Sequence, residues 1–525
     1  MREANGKELP KGWVRAALSE IAQINPPLDR CILSDSVAVD FVPMRAVEPE
    51  GGGLLRPEVS TYGAVKKGFT SFIQGDVIMA KITPCMENGK TCVVPELPGA
   101  ACFGSTEFHV VRAEAGMEAR WIANFLLQHS TRHAAQRQMT GGVGQMRVPT
   151  TFLSSLALPL PPSPEQRRIL EDTDELLSDL DAGVAALERV QAKLKHYRAA
   201  VLKAAVEGAL TAEWREQHPA TEPASALLTR ILAERRRRWE EAQLRKFKEA
   251  CKTPPKDWKA KYQEPVAPVT TNLSTLPEGW CWATPARVGD VQLGRQRAPQ
   301  HHAGKHMRPY LRVANVYEGR IDLRSIYEMN FTPDEFETFK LRAGDILLNE
   351  GQSLELVGRA AIYRDELPGA CFTNTLVRFR TATGLLPEFA LIYFMACLRS
   401  HRFRKLARWT TNIAHLGADR FAAMEIPLPS LAEQETIVET VEDQLSVIEH
   451  LEADLEAKLK SAQALRQSIL RHAFTGQLVP QDPNDEPAAE LLKRIAAERE
   501  LRVQQSKAAK TPRAKSRKKN DVSDA

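Results

Sequence analysis

Two groups of side chains in the second half of the chain have residue types that could act on a phosphate ester or bind a metal ion. Asp334, Glu337 and Lys340 are similar to the acidic and lysine set of a nuclease, but the Glu and the Lys are three residues apart instead of two. A helix surface explains this spacing better, and the first half of the chain has no counterpart. The second group is His301, His302 and His306. These histidines lie in a loop with Gly, Pro and basic neighbours, which is typical of exposed surface. We expect no metal site and no active site here.

The stretch Asn25-Pro26-Pro27-Leu28 is the third candidate for chemistry. Methyltransferases that act on adenine use Asn-Pro-Pro followed by an aromatic residue, which stacks on a flipped base. Here the fourth residue is Leu28, and the 24 residues before the motif are too few for a methyl-donor domain. A Gly-x-x-x-x-Gly-Lys phosphate loop for ATP is also absent from the sequence. The sequence therefore predicts no catalytic residue and no cofactor bound by this chain.

Composition predicts a soluble chain of several domains. It has 525 residues, of which 43% are hydrophobic and 26% charged. No apolar run approaches the roughly 18 residues of a membrane span. The N-terminal stretch has no apolar signal-peptide core, so we expect a cytoplasmic protein. The eight cysteines form no Cys-x-x-Cys pair, which argues against a zinc site and against a disulfide framework.

Positive charge is concentrated in two segments, although the net charge is a mild +5. The segments are residues 234–263 and 507–520. A solvated linker and a disordered tail would explain them. The alternative is non-specific attraction to a polyanion such as DNA.

A repeat organises the whole chain. The junction LPLPPSPEQRRIL at 158–170 returns as IPLPSLAEQETIV at 426–438, an offset of 268 residues. Five more pairs follow the same order: LPKGW (9–13) and LPEGW (276–280), GDVIMAK (75–81) and GDILLNE (344–350), ELPGAACF (96–103) and ELPGACF (366–372), RAAVLKAAVEGAL (198–210) and RQSILRHAFTGQL (466–478), and EPASALLTRILAER (222–235) and EPAAELLKRIAAER (486–499). The segments between these anchors differ, which predicts two related modules that contact different things.

Each repeat begins with short β-branched or aromatic runs that are typical of strands. A helix is predicted at 117–138 and again at 386–407. Ser163-x-x-Gln166 and Ser430-x-x-Glu433 then predict capping boxes at the start of a long helix. The Glu165-Gln166 and Glu433-Gln434 pairs could cap the helix or also touch a partner, and we favour capping.

Beyond each cap, apolar residues recur every seven positions for about 40 residues, which predicts a coiled-coil rod of roughly 60 Å. Two amphipathic helices packed on their own domains are the alternative. Gly208 and Gly476 suit the helix ends. The predicted packing residues of the rod are Leu177, Leu180, Val184, Leu187, Leu194 and Val201 in the first repeat, and Leu445, Ile448, Leu455, Leu459, Ala462 and Ile469 in the second.

Taken together, these motifs resemble the specificity subunit of type I restriction-modification systems, over nearly the whole chain. The resemblance rests on the Leu-Pro-x-Gly-Trp motifs, the Gly-Asp strands, ITPCMENGK at 82–90 and the two Pro-Leu-Pro…Glu-Gln helix starts. It implies an α+β fold with two mixed α/β target-recognition domains, separated by two long antiparallel coiled-coil helices. The expected domains are 1–160 (first recognition domain), 161–210 (central helix), 211–270 (basic linker), 271–428 (second recognition domain), 429–478 (C-terminal helix) and 479–525 (basic, disordered tail).

The resemblance also implies the function. Each recognition domain reads one half of a bipartite site in double-stranded DNA, and the helices set the spacing and dock two methyltransferase subunits. Motor-nuclease subunits join the complex. S-adenosylmethionine is expected on the methyltransferase subunits, and ATP and Mg²⁺ on the motor-nuclease subunits. The chain itself performs no chemistry and touches no membrane.

Candidate DNA-binding residues follow from side-chain chemistry: Arg, Asn and Gln are the usual base readers, and Lys, Ser and Thr usually contact phosphate. In the first domain they are Lys81, Thr83, Glu87, Asn88, Lys90, Thr140, Gly141, Gly142, Gln145 and Arg147. In the second domain they are Arg295, Arg297, Asn349, Glu350, Gln352, Thr410, Thr411, Asn412 and His415. A stand-alone methyltransferase or nuclease is disfavoured by the missing motifs. A scaffold that binds only protein leaves the two divergent domains unexplained.

Overall fold

A computed structural model of the chain describes residues 8–27, 33–142, 144–219, 221–271, 273–410 and 412–510, with side chains described up to residue 505. The described residues form two compact units. The first unit runs to Leu187 and resumes at Glu456, and the second unit runs from Glu188 to Leu455. In the described part of the chain, no helix is both long enough and apolar enough to cross a membrane.

The first unit contains the first head, residues 9–160, which is a mixed α/β domain. Its elements in chain order are β1 (Val14–Ala17), α1 (Leu18–Ile21), β2 (Ala22–Ile24), β3 (Ala38–Val42), β4 (Glu58–Thr61), α2 (Tyr62–Val65), β5 (Thr70–Phe72), β6 (Val77–Ala80), β7 (Thr91–Val93), β8 (Cys102–Gly104), β9 (Phe108–Ala113), α3 (Ala119–Leu127), α4 (His129–Arg137), α5 (Thr150–Ser155) and β10 (Ala157–Leu160).

Two four-stranded sheets and one ribbon organise the first head. The central sheet has the order β2-β9-β6-β7 and is antiparallel, with Met79 opposite His109. The second sheet has the order β4-β3-β8-β5 and contains one parallel pair, β3 with β8. In the ribbon, β1 pairs with β10, so that Val14 faces Leu160. The ribbon brings the start and the end of the head together.

Three helices follow the first head: α6 (Ser163–Val206), α7 (Ala212–Gln217) and α8 (Ala224–Glu249). The second head, residues 276–428, then has β11 (Cys281–Ala283), α9 (Pro285–Val288), β12 (Gly289–Leu293), β13 (Met307–Leu311), β14 (Tyr327–Asn330), α10 (Pro333–Phe339), β15 (Ile346–Asn349), β16 (Gly351–Gln352), β17 (Ala360–Ile362), β18 (Cys371–Phe372), β19 (Leu376–Thr381), α11 (Pro387–Arg399), α12 (Arg402–Leu406), β20 (Arg408–Trp409), β21 (Ala414–His415), α13 (Ala418–Ala423) and β22 (Ile426–Leu428). The chain ends with α14 (Leu431–Phe474) and α15 (Ala488–Lys510).

The second head repeats the plan of the first. Its central sheet, β12-β19-β15-β17, matches β2-β9-β6-β7, and its ribbon β11–β22 matches β1–β10. Smaller sheets have the orders β14-β13-β18 and β16-β21-β20. The predicted α+β fold with duplicated mixed domains and long helices is therefore confirmed.

Each hydrophobic core is completed by the end of the other repeat. In the first unit, Phe474 of α14 and Leu491 of α15 are buried against the first head, and the Phe474 and Trp121 ring centroids are 4.2 Å apart. In the second unit, Leu202 of α6 and Leu227 of α8 are buried in the core of the second head. The sequence repeat and the folded unit therefore have different boundaries.

Within each unit the two long helices run in opposite directions. In the first unit, Ile169 of α6 shares a core with Ala473 of α14, and Asp181 further along α6 pairs with Arg466. In the second unit, Arg198 of α6 bonds to Glu452 of α14 at 3.0 Å. All twelve predicted packing residues of the rod are buried or half-buried. Their individual pairing across the rod stays a prediction.

The segments expected to be a linker and a disordered tail contain helices. Because Ala224, Leu227, Leu228 and Ile231 follow helical spacing, they bury the first two turns of α8. The same pattern buries Ala488, Leu491 and Ile495 of α15. The expectation of disorder is thus corrected for 488–505, whereas residues 511–525 lie outside the described part. The domain boundaries given above stay a prediction.

The two short helices predicted in the heads are each broken. The helix predicted at 117–138 is α3 and α4, separated at Gln128, which has an extended backbone (φ −62°, ψ 137°). The helix predicted at 386–407 is α11 and α12, and His401 between them is left-handed (φ 58°). Neither break carries a proline or a glycine that would mark it in the sequence.

At the start of each long helix, the glutamate bonds to the tryptophan of the Leu-Pro-x-Gly-Trp motif. Trp13 Nε1 donates to Glu165 Oε2 at 3.0 Å, and Trp280 Nε1 donates to Glu433 Oε2 at 2.7 Å. These carboxylates are 1% and 2% exposed. Glu433 also accepts from Thr211 Oγ1 at 2.6 Å and from Arg215.

Capping is only part of the role of these residues. Ser430 Oγ accepts a hydrogen bond from Glu433 N at 3.2 Å, as a cap does, but α6 already begins at Ser163 itself. Gln434 Oε1 accepts from Leu386 N at 2.8 Å. Glu165, Glu433 and Gln434 therefore join the two helices to their own units, a role that the capping interpretation missed.

Replacing Glu433 by Ala should destabilise the second unit by about 3 kcal/mol, because a half-buried guanidinium, a buried indole N–H and a buried hydroxyl would lose their acceptor. Urea unfolding of the full chain measures this change. Glu435→Ala, two residues along the same helix and exposed, is the matched control and should change stability by less than about 0.5 kcal/mol. Equal effects of the two substitutions would contradict the assigned role.

Candidate nucleic-acid interface

In the first head, the two predicted DNA-binding segments meet at the end of the central sheet. Lys81 N donates to Glu107 O at 2.9 Å, next to the start of β9. Thr83 N donates to Met146 O at 3.0 Å, and Ile82 forms a bridge with Arg147. Segments 81–90 and 140–147 without Val143, together with Glu107, are thus one surface, which we call the first edge.

A glycine-rich turn forms the outer part of the first edge. Thr140 and Arg147 exchange backbone hydrogen bonds of 2.9 and 2.8 Å. Gly141 has φ +132°, and a Cβ there would lie 2.7 Å from Gln145 O, so the turn needs glycine at this position. Thr140, Gly141, Gly142 and Gln145 are all exposed. This arrangement presents backbone and an amide side chain to the solvent.

Arg147 is held by an acidic residue of the same edge. Its Nε and Nη2 donate to the Glu107 carboxylate at 2.9 and 2.8 Å. These hydrogen bonds from Arg147 hold the pKa of Glu107 below its usual value, against partial desolvation. Arg147 Nη1 also donates to Gln145 O at 3.0 Å, and the side chain keeps about 40% of its surface exposed.

The remaining candidates of the first edge divide into exposed and internal side chains. Asn88 is exposed, and Lys81 and Thr83 are half-buried. Lys90 Nζ donates to Val47 O at 2.8 Å and to Met44 O at 3.0 Å. Glu87 accepts from Gln136 Nε2 at 3.1 Å. Lys90 and Glu87 therefore hold the loop together, and we do not carry them forward as DNA contacts.

The second head has the same junction at equivalent positions. Glu350 N donates to Thr375 O at 2.9 Å, as Lys81 N does to Glu107 O. Gly351 pairs with His415, as Ile82 pairs with Arg147. Arg408 pairs with His415, as Thr140 pairs with Arg147. We call this surface, residues 349–353 and 408–415 without Thr411, the second edge.

The side chains of the second edge differ from those of the first. His415 Nδ1 lies 3.0 Å from Glu350 Oε2, and Thr410 Oγ1 donates to Ile413 O at 3.0 Å. Gln352 is half-buried, and Asn412 is exposed. Thr411 lies outside the described residues.

Two predicted contacts in the second head are internal in the structure. Arg295 is 7% exposed, and its guanidinium pairs with Glu335 at 2.8 Å and donates to Asn330 O. Asn349 is 0% exposed. Both residues are therefore corrected from DNA contacts to residues inside the head, because their side chains are buried. Arg297 is exposed and lies over the Tyr310 ring at 5.7 Å.

Sequence reasoning missed three residues of these edges. Glu107 could have been found, because it stands directly before the FHVVR strand and opposite the Gly-Asp strand. Arg408 and Trp409 form β20, an exposed strand. They fall at the end of a divergent segment, where repeat comparison gives no signal.

Asn25, from the Asn-Pro-Pro motif considered for chemistry, is bonded to the central sheet. Asn25 Oδ1 accepts from Val110 N at 2.9 Å, and its Nδ2 lies 3.2 Å from His109 Nδ1. Leu28 lies outside the described residues. Asp334 and Glu337 lie on α10. The described ranges contain no group of three or more His, Cys, Asp or Glu arranged to hold a metal ion.

Comparison with known proteins assigns this architecture. Residues 287–461 match the model of the type I restriction modification DNA specificity domain. The type I restriction enzyme EcoEI specificity subunit of Escherichia coli is 26% identical, over 88% of this chain and 83% of its own length. The EcoAI specificity subunit of Escherichia coli is 27% identical, over 83% and 78%. By these comparisons, the chain is similar to type I restriction-modification specificity subunits over most of its length. The resemblance drawn from its motifs is confirmed.

A solved structure supports the fold of the chain. It comes from work on complex assembly and conformational transition of the type I R-M system, and covers 90% of this chain and 100% of its own, at a TM-score of 0.60 and 20% identity. The family match at 287–461 includes the whole second edge. The identity of the individual contact residues stays a prediction.

Replacing Glu107 by Gln should loosen the first edge, because Arg147 would lose its charged acceptor. The wild-type chain should be more stable than the variant above about pH 4.3, the usual pKa of Glu. As pH falls through the lowered pKa of Glu107, the carboxylate is protonated and this advantage should vanish. Since both side chains are partly exposed, we expect less than about 1 kcal/mol.

Urea unfolding at neutral pH and at pH 3 measures this difference. Glu96→Gln, an exposed glutamate of the same head, is the control and should show no such dependence. A stability difference that stays constant down to pH 3 would contradict the role of the ion pair.

Proposed function

We propose that this specificity subunit reads a bipartite sequence in double-stranded DNA, one half with each edge. The observation that carries this proposal is the duplicated junction: equivalent backbone contacts build both edges, whereas the side chains on them differ. A common frame with different hydrogen-bonding groups suits two half-sites of different sequence. Base edges in the major groove present distinct donor and acceptor patterns, which such groups can distinguish.

The proposed contacts are the predicted residues of the two edges that remain available on the surface, together with Arg297. For the first half-site they are Lys81, Thr83, Asn88, Thr140, Gly141, Gly142, Gln145 and Arg147. For the second they are Arg297, Glu350, Gln352, Thr410, Asn412 and His415. Glu350 is a carboxylate, which repels phosphate but accepts a hydrogen bond from the amino group of cytosine. Arg147 offers the groups that suit guanine.

The long helices would set the spacing of the half-sites and dock two methyltransferase subunits. Outside the predicted seam, α6 exposes Leu176, Val190 and Tyr197, which are separated by multiples of seven residues. Leu451 and Leu465 on α14 are exposed with the same spacing. Apolar residues at heptad spacing on an exposed helix face suit a partner helix. The duplication would provide one such face for each of two partners.

Chemistry would then belong to the partners. Methyl transfer with S-adenosylmethionine would take place on the two methyltransferase subunits. ATP, Mg²⁺ and DNA cleavage would belong to the motor-nuclease subunits. In this arrangement the specificity subunit contributes recognition and geometry, and it supplies no catalytic residue.

Exchanging residues 14–157 for the corresponding segment of another specificity subunit should change one half of the methylated sequence and leave the other half unchanged. Each edge is built inside its own head, so the second edge should keep its contacts. Methylome sequencing of a host that also expresses the partner subunits reads both halves at once. A change in both halves, or in neither, would contradict the proposal.

Deleting residues 188–194 together with 456–462 should shorten the spacing between the half-sites and leave their sequences unchanged. Each deletion removes one heptad, about 10 Å of helix, which equals about three base pairs of DNA. These segments contribute no residue to either hydrophobic core. Deleting 188–194 alone is the control and should disrupt the pairing of the helices. Unchanged spacing in the methylome of the double deletion would contradict the spacer role.

A further inference from the structure

A tryptophan is exposed on the second edge. Trp409 is 54% exposed, the most of the eight tryptophans, all of which lie in described residues. By contrast, Trp13, Trp121 and Trp280 are at most 9% exposed. Folding therefore does not use most of the apolar surface of Trp409.

The two-stranded ribbon β20–β21 carries this side chain. In the ribbon, Trp409 pairs with Ala414, and Arg408 pairs with His415. Successive side chains alternate between the two faces of a strand, so Trp409 and Arg408 project on opposite sides. Trp409, Ala414 and Gln352 consequently form one row across the three strands β20, β21 and β16.

The base of the ribbon is fixed from both strands. Arg420 Nη2 donates to His415 O at 2.7 Å, and Arg420 Nε donates to Leu406 O at 3.2 Å, directly before β20. At the outer end, Thr410 N donates to Ile413 O at 3.0 Å. The indole therefore stands on a braced element, and its exposure does not come from a loose chain end.

At the equivalent position the first head has glycine. The repeat offset of 268 places Gly141 opposite Trp409, and Thr140 opposite Arg408. No Cβ fits at Gly141, because it would lie 2.7 Å from Gln145 O. The frame of the two turns is shared, but only the second one carries a large apolar side chain.

We propose that the β20–β21 ribbon enters the major groove of the second half-site, where Trp409 packs against the methyl group of a thymine. This inference rests on the proposed function. The major groove admits a two-stranded ribbon, and the thymine methyl is the apolar group that it displays. The exposed Arg408 on the opposite face supplies positive charge beside the phosphates. Trp409 thereby determines specificity in the second half-site, and the first half-site has no corresponding contact.

The test uses the full chain assembled with its methyltransferase subunits and the bipartite duplex found in the methylome. Binding is measured by fluorescence anisotropy at fixed salt, and each thymine of the site is replaced in turn by uracil, which lacks the methyl group. For the wild-type chain, we expect one uracil substitution, in the second half-site, to weaken binding about tenfold. Trp409→Ala should weaken binding of the unmodified duplex to a similar extent, and that uracil should then have no further effect.

Two variants control for folding. Trp409→Phe keeps an aromatic surface and should retain part of the sensitivity to uracil. Val269→Ala removes an exposed apolar side chain of the same unit, 67% exposed, and should bind like the wild type.

Unchanged binding and unchanged uracil sensitivity in Trp409→Ala would overturn this inference alone. Equal loss of discrimination in both half-sites would also overturn it, because the effect would then lie in folding or assembly. If the wild-type complex methylates no bipartite sequence, the proposed function itself fails.

Discussion

The buried carboxylate at the start of each long helix is the contact on which the rest of the molecule depends. Glu165 and Glu433 are almost fully enclosed, and each accepts a hydrogen bond from the tryptophan at the entry of its head. A buried charge is costly unless donors surround it, so the indole, and in the second unit Thr211 and Arg215, must stay in place. The bond also joins the first turn of the head to the first turn of the helix. Together with the ribbons β1–β10 and β11–β22, it fixes where each head ends and in which direction its helix leaves.

The second constraint is that neither core is complete within one sequence repeat. Phe474 and Leu491 complete the first unit, and Leu202 and Leu227 complete the second. Each long helix therefore begins in one unit and contributes its end to the core of the other unit. Both cores thus constrain the length of the helix, along which the heptad pattern runs. In the proposed function, that length becomes the spacing between the half-sites.

Much of this organisation could be predicted from the sequence, because it depends on local patterns. The repeat offset, the strands, the heptads and the capping serine at 430 all have short-range signals. The exchange of helix ends could not be predicted, since the repeat shows which segments are similar but not which segments pack together. The breaks at Gln128 and His401 were missed because neither carries a proline or a glycine that would mark the end of a helix.

The site residues were predicted less well, for a physical reason. Side-chain chemistry selected Arg295, Asn349 and Lys90, but Asn349 is buried, and internal hydrogen bonds occupy Arg295 and Lys90. Conversely, Trp409 was overlooked because apolar residues are expected in cores, and exposure depends on the tertiary structure. The structure brings 81–90 together with 140–147 (without Val143), and 349–352 together with 410–415 (without Thr411), at matching positions of the two heads.

Site-specific photocrosslinking tests the central claim, two equivalent edges for two half-sites, most directly. A photoreactive amino acid would replace Gln145 in one preparation and Asn412 in another, both of which are exposed. Each assembled complex would then be irradiated on a duplex that contains the bipartite site, and the crosslinked bases would be mapped. We predict crosslinks from position 145 to bases of one half-site and from position 412 to bases of the other. Crosslinks from both positions to the same half-site, or to the spacer, would contradict it.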